Sequence, residues 1–288
     1  MRLNFGHLAM AFMAAVLLVS CEKEDEGAAW QPDTGWDAPE YASRVEMPVL
    51  DRDSMSLFIV HKTEAEGQEV INYSLEYDCR NRHARWVAFT FYDLTARDAV
   101  NRTDAWDDDP QVPAGWRSDR EDYRGYDRGH LCASNDRTFT YNANVQTFYY
   151  SNMSPQYGNF NRGVWQRLEA LVQGWGRNPA FRDTLYVVKG GTIDADKVIT
   201  YTGPHSIPVP AYYYMALVKV KGGYYDAIAF LLEHNNDYRA PYVLSRYAVS
   251  VDSLEAFTGL DFFHNLPDAC ESAIEARNAK ENWPGLVD

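Results

Sequence analysis

Apolar residues along this chain gather in short runs rich in β-branched and aromatic side chains, separated by polar breaks. Three runs stand close together: "SMSLFIVHKTE" at 54–64, "QEVINYSLEYD" at 68–78 and "ARWVAFTFYDL" at 84–94. Strand-forming composition with breaks this short predicts antiparallel neighbours. More strands are expected from "DTLYVVKGG" (183–191), from "AYYYMALVKVKGGYYDAIAFLLE" (211–233), a pair broken at Gly222-Gly223, and from "YRAPYVLSRYAVSV" (238–251). The helical signal has another period. In "NRGVWQRLEALVQGW" (161–175), Val164, Trp165, Leu168, Leu171 and Val172 form an amphipathic stripe, with Asn159 or Asn161 as cap and Gly174 near the stop. "DACESAIEARNAKEN" (268–282) predicts a late surface helix. Strands before and after a few helices point to an α+β fold, a central and mostly antiparallel sheet flanked by helices.

The N-terminal end breaks this pattern. Residues 1–20 carry one charge, Arg2, before the apolar run "HLAMAFMAAVLLVS". That run is too short and wrongly flanked for a stable span and reads as an export signal. "LVSC" at 18–21 resembles the lipobox of bacterial lipoproteins, which implies cleavage before Cys21 and lipidation of its side chain; an ordinary secretory signal is the alternative. Either places the mature protein outside the cytoplasm. With a lipid on Cys21 it is a membrane-anchored lipoprotein, periplasmic or on the cell surface. Residues 21–45 are acidic, hold Gly and Pro, lack apolar periodicity and read as a flexible tether. No repeat or linker interrupts residues 46–288, which reads as one domain. Export permits disulfides among Cys79, Cys132 and Cys270, and three thiols leave one over.

Charge complicates the choice of partner. The formal net charge is −14, which taken alone argues against a polyanionic ligand. The window from Arg137 to Arg177 differs, since Arg137, Arg162, Arg167 and Arg177 face one acid, Glu169.

Within residues 126–173 the pattern reads strand, long turn, strand, helix: "YDRGHLCA", then "QTFYYSNMSPQ", then the helix beginning near Asn161. His130, Asn152 and Asn161 sit where such an arrangement can converge. Hydrolysis of a phosphodiester needs a base, positive charge on the phosphoryl oxygens, and stabilisation of the departing alkoxide. His130 suits the first, because imidazole accepts a proton near neutrality. Arg128 and Arg102 suit the second through forked hydrogen bonds. A hard divalent cation on the amide oxygen of Asn161 suits the third, most of its coordination sphere left to water and substrate, as magnesium prefers. Glu169, two turns along the helix, is placed to hold the cation's waters. Asp127 reads as structural, and His61, His83, His205, His234 and His264 show no metal-ligand spacing.

"DRGH" (127–130), "SNMSPQ" (151–156) and "NRGVWQRLE" (161–169) together resemble the signature of the DNA/RNA non-specific endonucleases, the ββα-metal or His-Me finger nucleases. The resemblance spans about residues 54–268. It implies a ββα-metal motif at the active site and hydrolysis of DNA and RNA with little sequence preference. Under it, His130 is the general base, Asn161 the protein ligand of Mg2+, with Mn2+ the alternative ion, Asn152 a positioning residue and Glu169 an organiser of the cation's waters. Arg128 and Arg102 match the family's phosphate-binding arginines. Two departures stand out. Gln173 occupies a position where some members carry a further arginine, and Cys132 follows the histidine closely, where a bridge to Cys79 is conceivable. The rival readings are a catalytically silent lipoprotein binding module of the same fold and a phosphodiesterase of small nucleotides. No obligate protein partner is inferred.

Overall fold

The computed structural model describes residues 43–51 and 55–286; the export signal, most of the tether and Cys21 lie outside the described residues. Three strands open the domain: β1 (Ser56–Ala65), β2 (Gln68–Asp78) and β3 (His83–Phe91). The middle of the chain supplies β4 (Asp127–His130), α1 (Tyr141–Gln146), β5 (Met153–Gln156) and α2 (Gln166–Arg177). There follow β6 (Thr184–Gly191), the hairpin of β7 (Val198–Thr202) and β8 (Ile207–Pro210), the long hairpin of β9 (Tyr212–Lys221) and β10 (Tyr224–Glu233), and β11 (Ala248–Val249). Helices α3 (Val251–Thr258) and α4 (Asp268–Glu275) complete the set.

Seven strands form one antiparallel sheet in the order β1-β2-β3-β6-β9-β10-β11. Gly222 and Gly223 take positive φ, 57° and 81°, which turns β9 into β10 at the break expected from the sequence. Side chains of a strand alternate between faces, so the central strands feed two cores. Val87, Phe89, Leu185, Val187, Met215, Leu217, Ile228 and Phe230 join one core with Val164, Leu168 and Val172 of the helical stripe. Trp86, Ala88, Val188, Tyr214, Ala216, Val218, Ala227 and Ala229 face the other way, against Val251 and Leu254 of α3 and Cys270 and Ile274 of α4. Each fully buried aliphatic or aromatic side chain contributes about 1.5–3 kcal/mol of transfer free energy. The two faces therefore carry different cargo: α2 on one, α3 and α4 on the other.

Two elements depart from expectation. The run at 238–251 is mostly irregular, with only Ala248–Val249 paired to β10. Pro241 has no N–H to give to a ladder, and Tyr238, Tyr242 and Leu244 pack singly against the first core. The late helix ends at Glu275, and only a short 3-10 turn, Lys280–Asn282, follows.

Candidate active site

Strands β4 and β5 pair antiparallel, with His130 opposite Met153 and Asp127 opposite Gln156. The turn between them is held from inside by Asn152, which is fully buried. Its Nδ2 donates to the carbonyls of Cys132 (2.8 Å) and Thr147 (2.7 Å), and its Oδ1 accepts from the Cys132 N–H (2.8 Å). Asn152, grouped with the catalytic residues from the sequence, thus faces backbone and is absent from the cavity lining. It fixes the chain two residues beyond His130, which is a positioning task.

The other five candidates meet. His130, Arg128, Arg102, Asn161 and Glu169 line one open cavity of about 920 Å³. The His130 ring is wedged between Trp106, with centroids 5.4 Å apart, and the edge-on ring of Phe148 at 5.0 Å. Its Nε2 is buried and without a hydrogen-bond partner. Burial first, then the positive charges of Arg102, Lys189 and Arg128, hold its pKa down to about 3, so the free imidazole is neutral at neutral pH.

The arginines differ in how much they are already engaged. The guanidinium of Arg128 lies 3.7 Å above the Trp106 ring and has no carboxylate partner among the described residues. The acids close to it in sequence have other partners: Asp127 meets Arg162 (2.5 Å) and Asp122 meets His205 (2.8 Å). Arg102 stands 4.6 Å over Phe148 and donates its Nε to Asp104 (2.8 Å). Arg167 lines the cavity and is exposed. The remaining basic residues of the 137–177 window turn elsewhere: Arg137 is fully buried among Phe89, Phe91 and Phe139, and Arg177 binds Asn135 and Thr138.

Asn161 does not cap the helix, as either reading of its start would allow. The chain enters α2 through a wide turn over Phe160–Trp165, and the Asn161 Nδ2 donates to Asp127 Oδ2 (3.0 Å). That bond orients the amide and leaves Oδ1 unengaged among the described residues. Asp127 is structural in the way its sequence context suggests, tying β4 to the turn.

Glu169 projects from α2 into the same space, and its Oε1 is buried without a hydrogen bond. The nearest cation is Lys189 of β6, whose Nζ lies 3.6 Å from that oxygen and 2.6 Å from Asp136 Oδ2. Asp136 also accepts from Gln173 (2.9 Å) and from the Ala133 N–H (2.9 Å). Burial raises the Glu169 pKa, partly offset by Lys189; Lys189 is itself raised, since Asp136 and Glu169 together outweigh the burial that opposes its charge. Lys189, Asp136 and Trp106 escaped the sequence reading. Lys189 was within reach of it: in "LYVVKGG" it shares strand parity with Leu185 and Val187, and a lysine on a core-facing position calls for a buried acid. Gln173, at the departure position, donates to Asp136, the acid that also holds Lys189. The unengaged amide oxygen of Asn161 and the carboxylate of Glu169, which meets Lys189 at 3.6 Å without a hydrogen bond, line one cavity and are hard donors that suit a largely hydrated magnesium ion.

The other histidines are held in hydrogen bonds: His61 to Asp109 (3.0 Å), His83 to Ser154 (2.6 Å), and His234 to the Tyr157 N–H (2.8 Å). Asp119, Asp122 and His205 do cluster, yet Asp122 spends both oxygens on His205 and on the Asp119 N–H. Cys79 and Cys132 are free, buried thiols, so the bridge conceived between them is absent; each packs in the first core.

A short antiparallel pair carrying a histidine, followed by a helix whose entry carries an asparagine, defines a ββα-metal nuclease. The chain belongs to the DNA/RNA non-specific endonuclease family, whose sequence profile matches residues 54–269. It is 33% identical to Nuclease C1 of Cunninghamella echinulata var. echinulata over 68% of this chain and 81% of that one. It is 30% identical to the mitochondrial nuclease EXOG of Xenopus laevis over 75% and 63%, and 29% identical to the mitochondrial endonuclease G of Homo sapiens over 68% of each. Among solved structures, a chain of the EndoG/EndoGI complex superposes with a TM-score of 0.59 at 28% identity, covering 73% of this chain and 88% of that one.

Proposed function

We propose that the protein hydrolyses phosphodiester bonds of DNA and RNA, with His130 as general base and magnesium held by Asn161. The observation that carries this reading is the meeting of His130 and Asn161 in one cavity beside Arg128, which has no carboxylate partner among the described residues. His130, neutral and with a bare nitrogen, takes a proton from water as that water attacks phosphorus. Arg128 and Arg102, placed over the rings of Trp106 and Phe148, donate to the phosphoryl oxygens as their charge rises. Asn161 and Glu169 would hold the hydrated ion, which supplies charge neutralisation for the departing 3′ oxygen. Because water attacks and the 2′ hydroxyl has no part, sugar type matters little, and phosphate contacts carry no base information.

The test is incubation of the purified protein with plasmid and with RNA, in magnesium or in chelator, beside His130→Ala and Asn161→Ala. Magnesium-dependent smearing of both polymers that the variants lack supports the reading. No cleavage would favour a silent binding module, and cleavage of dinucleotide esters alone a small-nucleotide phosphodiesterase.

We also propose that Cys21 is lipidated and tethers the nuclease outside the cytoplasm. Support comes from the lipobox-like "LVSC" and the acidic stretch behind it. Mass spectrometry of the mature N-terminus decides it: a diacylated Cys21 is expected, and an unmodified terminus elsewhere overturns it.

A further inference from the structure

On the face of the sheet away from His130, α3 and α4 lie side by side against the second core. Between them converge carboxylates that have no cation. Oxygens of Asp252, Glu255 and Glu275 all lie within 4.8 Å of one another. Asp261 and Glu271 act on the same group, and none of the five takes part in an ion pair among the described residues. Acidic side chains on a solvated surface often crowd in this way without consequence. Glu275 is different, because it is only 4% exposed and its Oε1 is buried with no hydrogen-bond partner. A buried carboxylate oxygen facing other carboxylates is destabilising unless a proton or a metal ion sits among them.

We propose that Asp252, Glu255 and Glu275 form a calcium site that clamps α3 to α4 behind the sheet. Calcium takes six to eight oxygens at about 2.3–2.6 Å, so ligands across one ion stand up to about 5 Å apart. The observed span meets that limit. Three carboxylates supply the negative charge such a site uses. Magnesium prefers a stricter octahedron and retains its waters, which this loosely spaced, multidentate set does not demand. Glu255 is already positioned, because Oε1 accepts the Phe262 N–H at 2.8 Å.

The experiment keeps magnesium constant, so that the nuclease site does not respond, and titrates calcium into the intact protein while following thermal unfolding at pH 7.5. Wild type should gain about 5 °C at millimolar calcium. Glu275→Gln, and separately the exposed Asp252→Asn, should lose that gain while melting normally in magnesium without calcium. Absence of a calcium response in wild type, or the same response in both variants, overturns the site.

Discussion

At the scale of single residues, the site works by denying side chains their ordinary partners. His130 has aromatic rings on two sides and arginines nearby, which keeps it uncharged. Its pKa falls from 6.5 in the unfolded chain to about 3 in the fold. Between those values the unfolded chain binds the extra proton, so this group's contribution to stability is complete above pH 6.5 and is lost as pH falls towards 3. Nitrogen-detected NMR of the metal-free protein should find the His130 ring neutral at pH 5, while exposed imidazole reference signals are protonated; a midpoint near 6.5 would refute the assignment. Lys189 carries the second residue-scale prediction. Lys189→Met strands Asp136 and Glu169 as buried charges and should cost about 3–5 kcal/mol in denaturant unfolding. Adding Asp136→Asn should recover part of that loss, whereas nuclease activity should stay low because Glu169 still lacks its counter-ion.

Elements place these residues through close backbone approaches. Gly163 lies in the wide turn at the start of α2, with φ −114° and ψ −108°, and a Cβ there would stand 2.6 Å from the Tyr242 hydroxyl. Tyr242 comes from the irregular segment that replaces the expected strand, so that segment packs over the turn bearing Asn161. Gly163→Ala should displace the Asn161 turn and lower kcat/KM at least tenfold with magnesium affinity reduced in parallel. Combining it with Tyr242→Ala should restore part of both, as measured by steady-state kinetics across a magnesium titration. The α2 stripe was legible because a 3.6-residue period survives any tertiary context. Its irregular first turn was not, since the tyrosine that packs against Gly163 lies some eighty positions later in the chain.

For the molecule as a whole, the question is how an acidic protein accommodates a polyanion. The answer in the structure is segregation: Arg102, Arg128, Arg162 and Arg167 line the cavity, whereas the acid-rich α3 and α4 occupy the opposite side of the sheet. Attraction to nucleic acid is then local and short-ranged, without a steering field from the whole surface. Cleavage should weaken with salt, log kcat/KM falling linearly with log ionic strength, and Arg167→Ala should flatten that slope by about one phosphate contact. A slope unchanged by the substitution would show that Arg167 touches no phosphate. Net charge alone was a poor guide here because it sums groups that a seven-stranded sheet holds apart.

Much of this protein follows from local pattern. Strand and helix periods and the paired glycines of the long hairpin are properties of near neighbours in the chain and predict an α+β fold, while the nuclease activity was implied by the resemblance of the motifs carrying His130, Asn161 and Glu169 to the non-specific endonucleases. What only the tertiary structure decided is every relation across the sheet or between distant loops. Asn152 faces backbone and not the cavity, Lys189 is buried between Asp136 and Glu169, Cys79 and Cys132 stay unpaired, and acids from α3 and α4 converge on Glu275. The physical reason is the same in each case. Periodicity says which face of an element a side chain takes, while the partner it meets there depends on how faces are brought together by packing over long sequence separations.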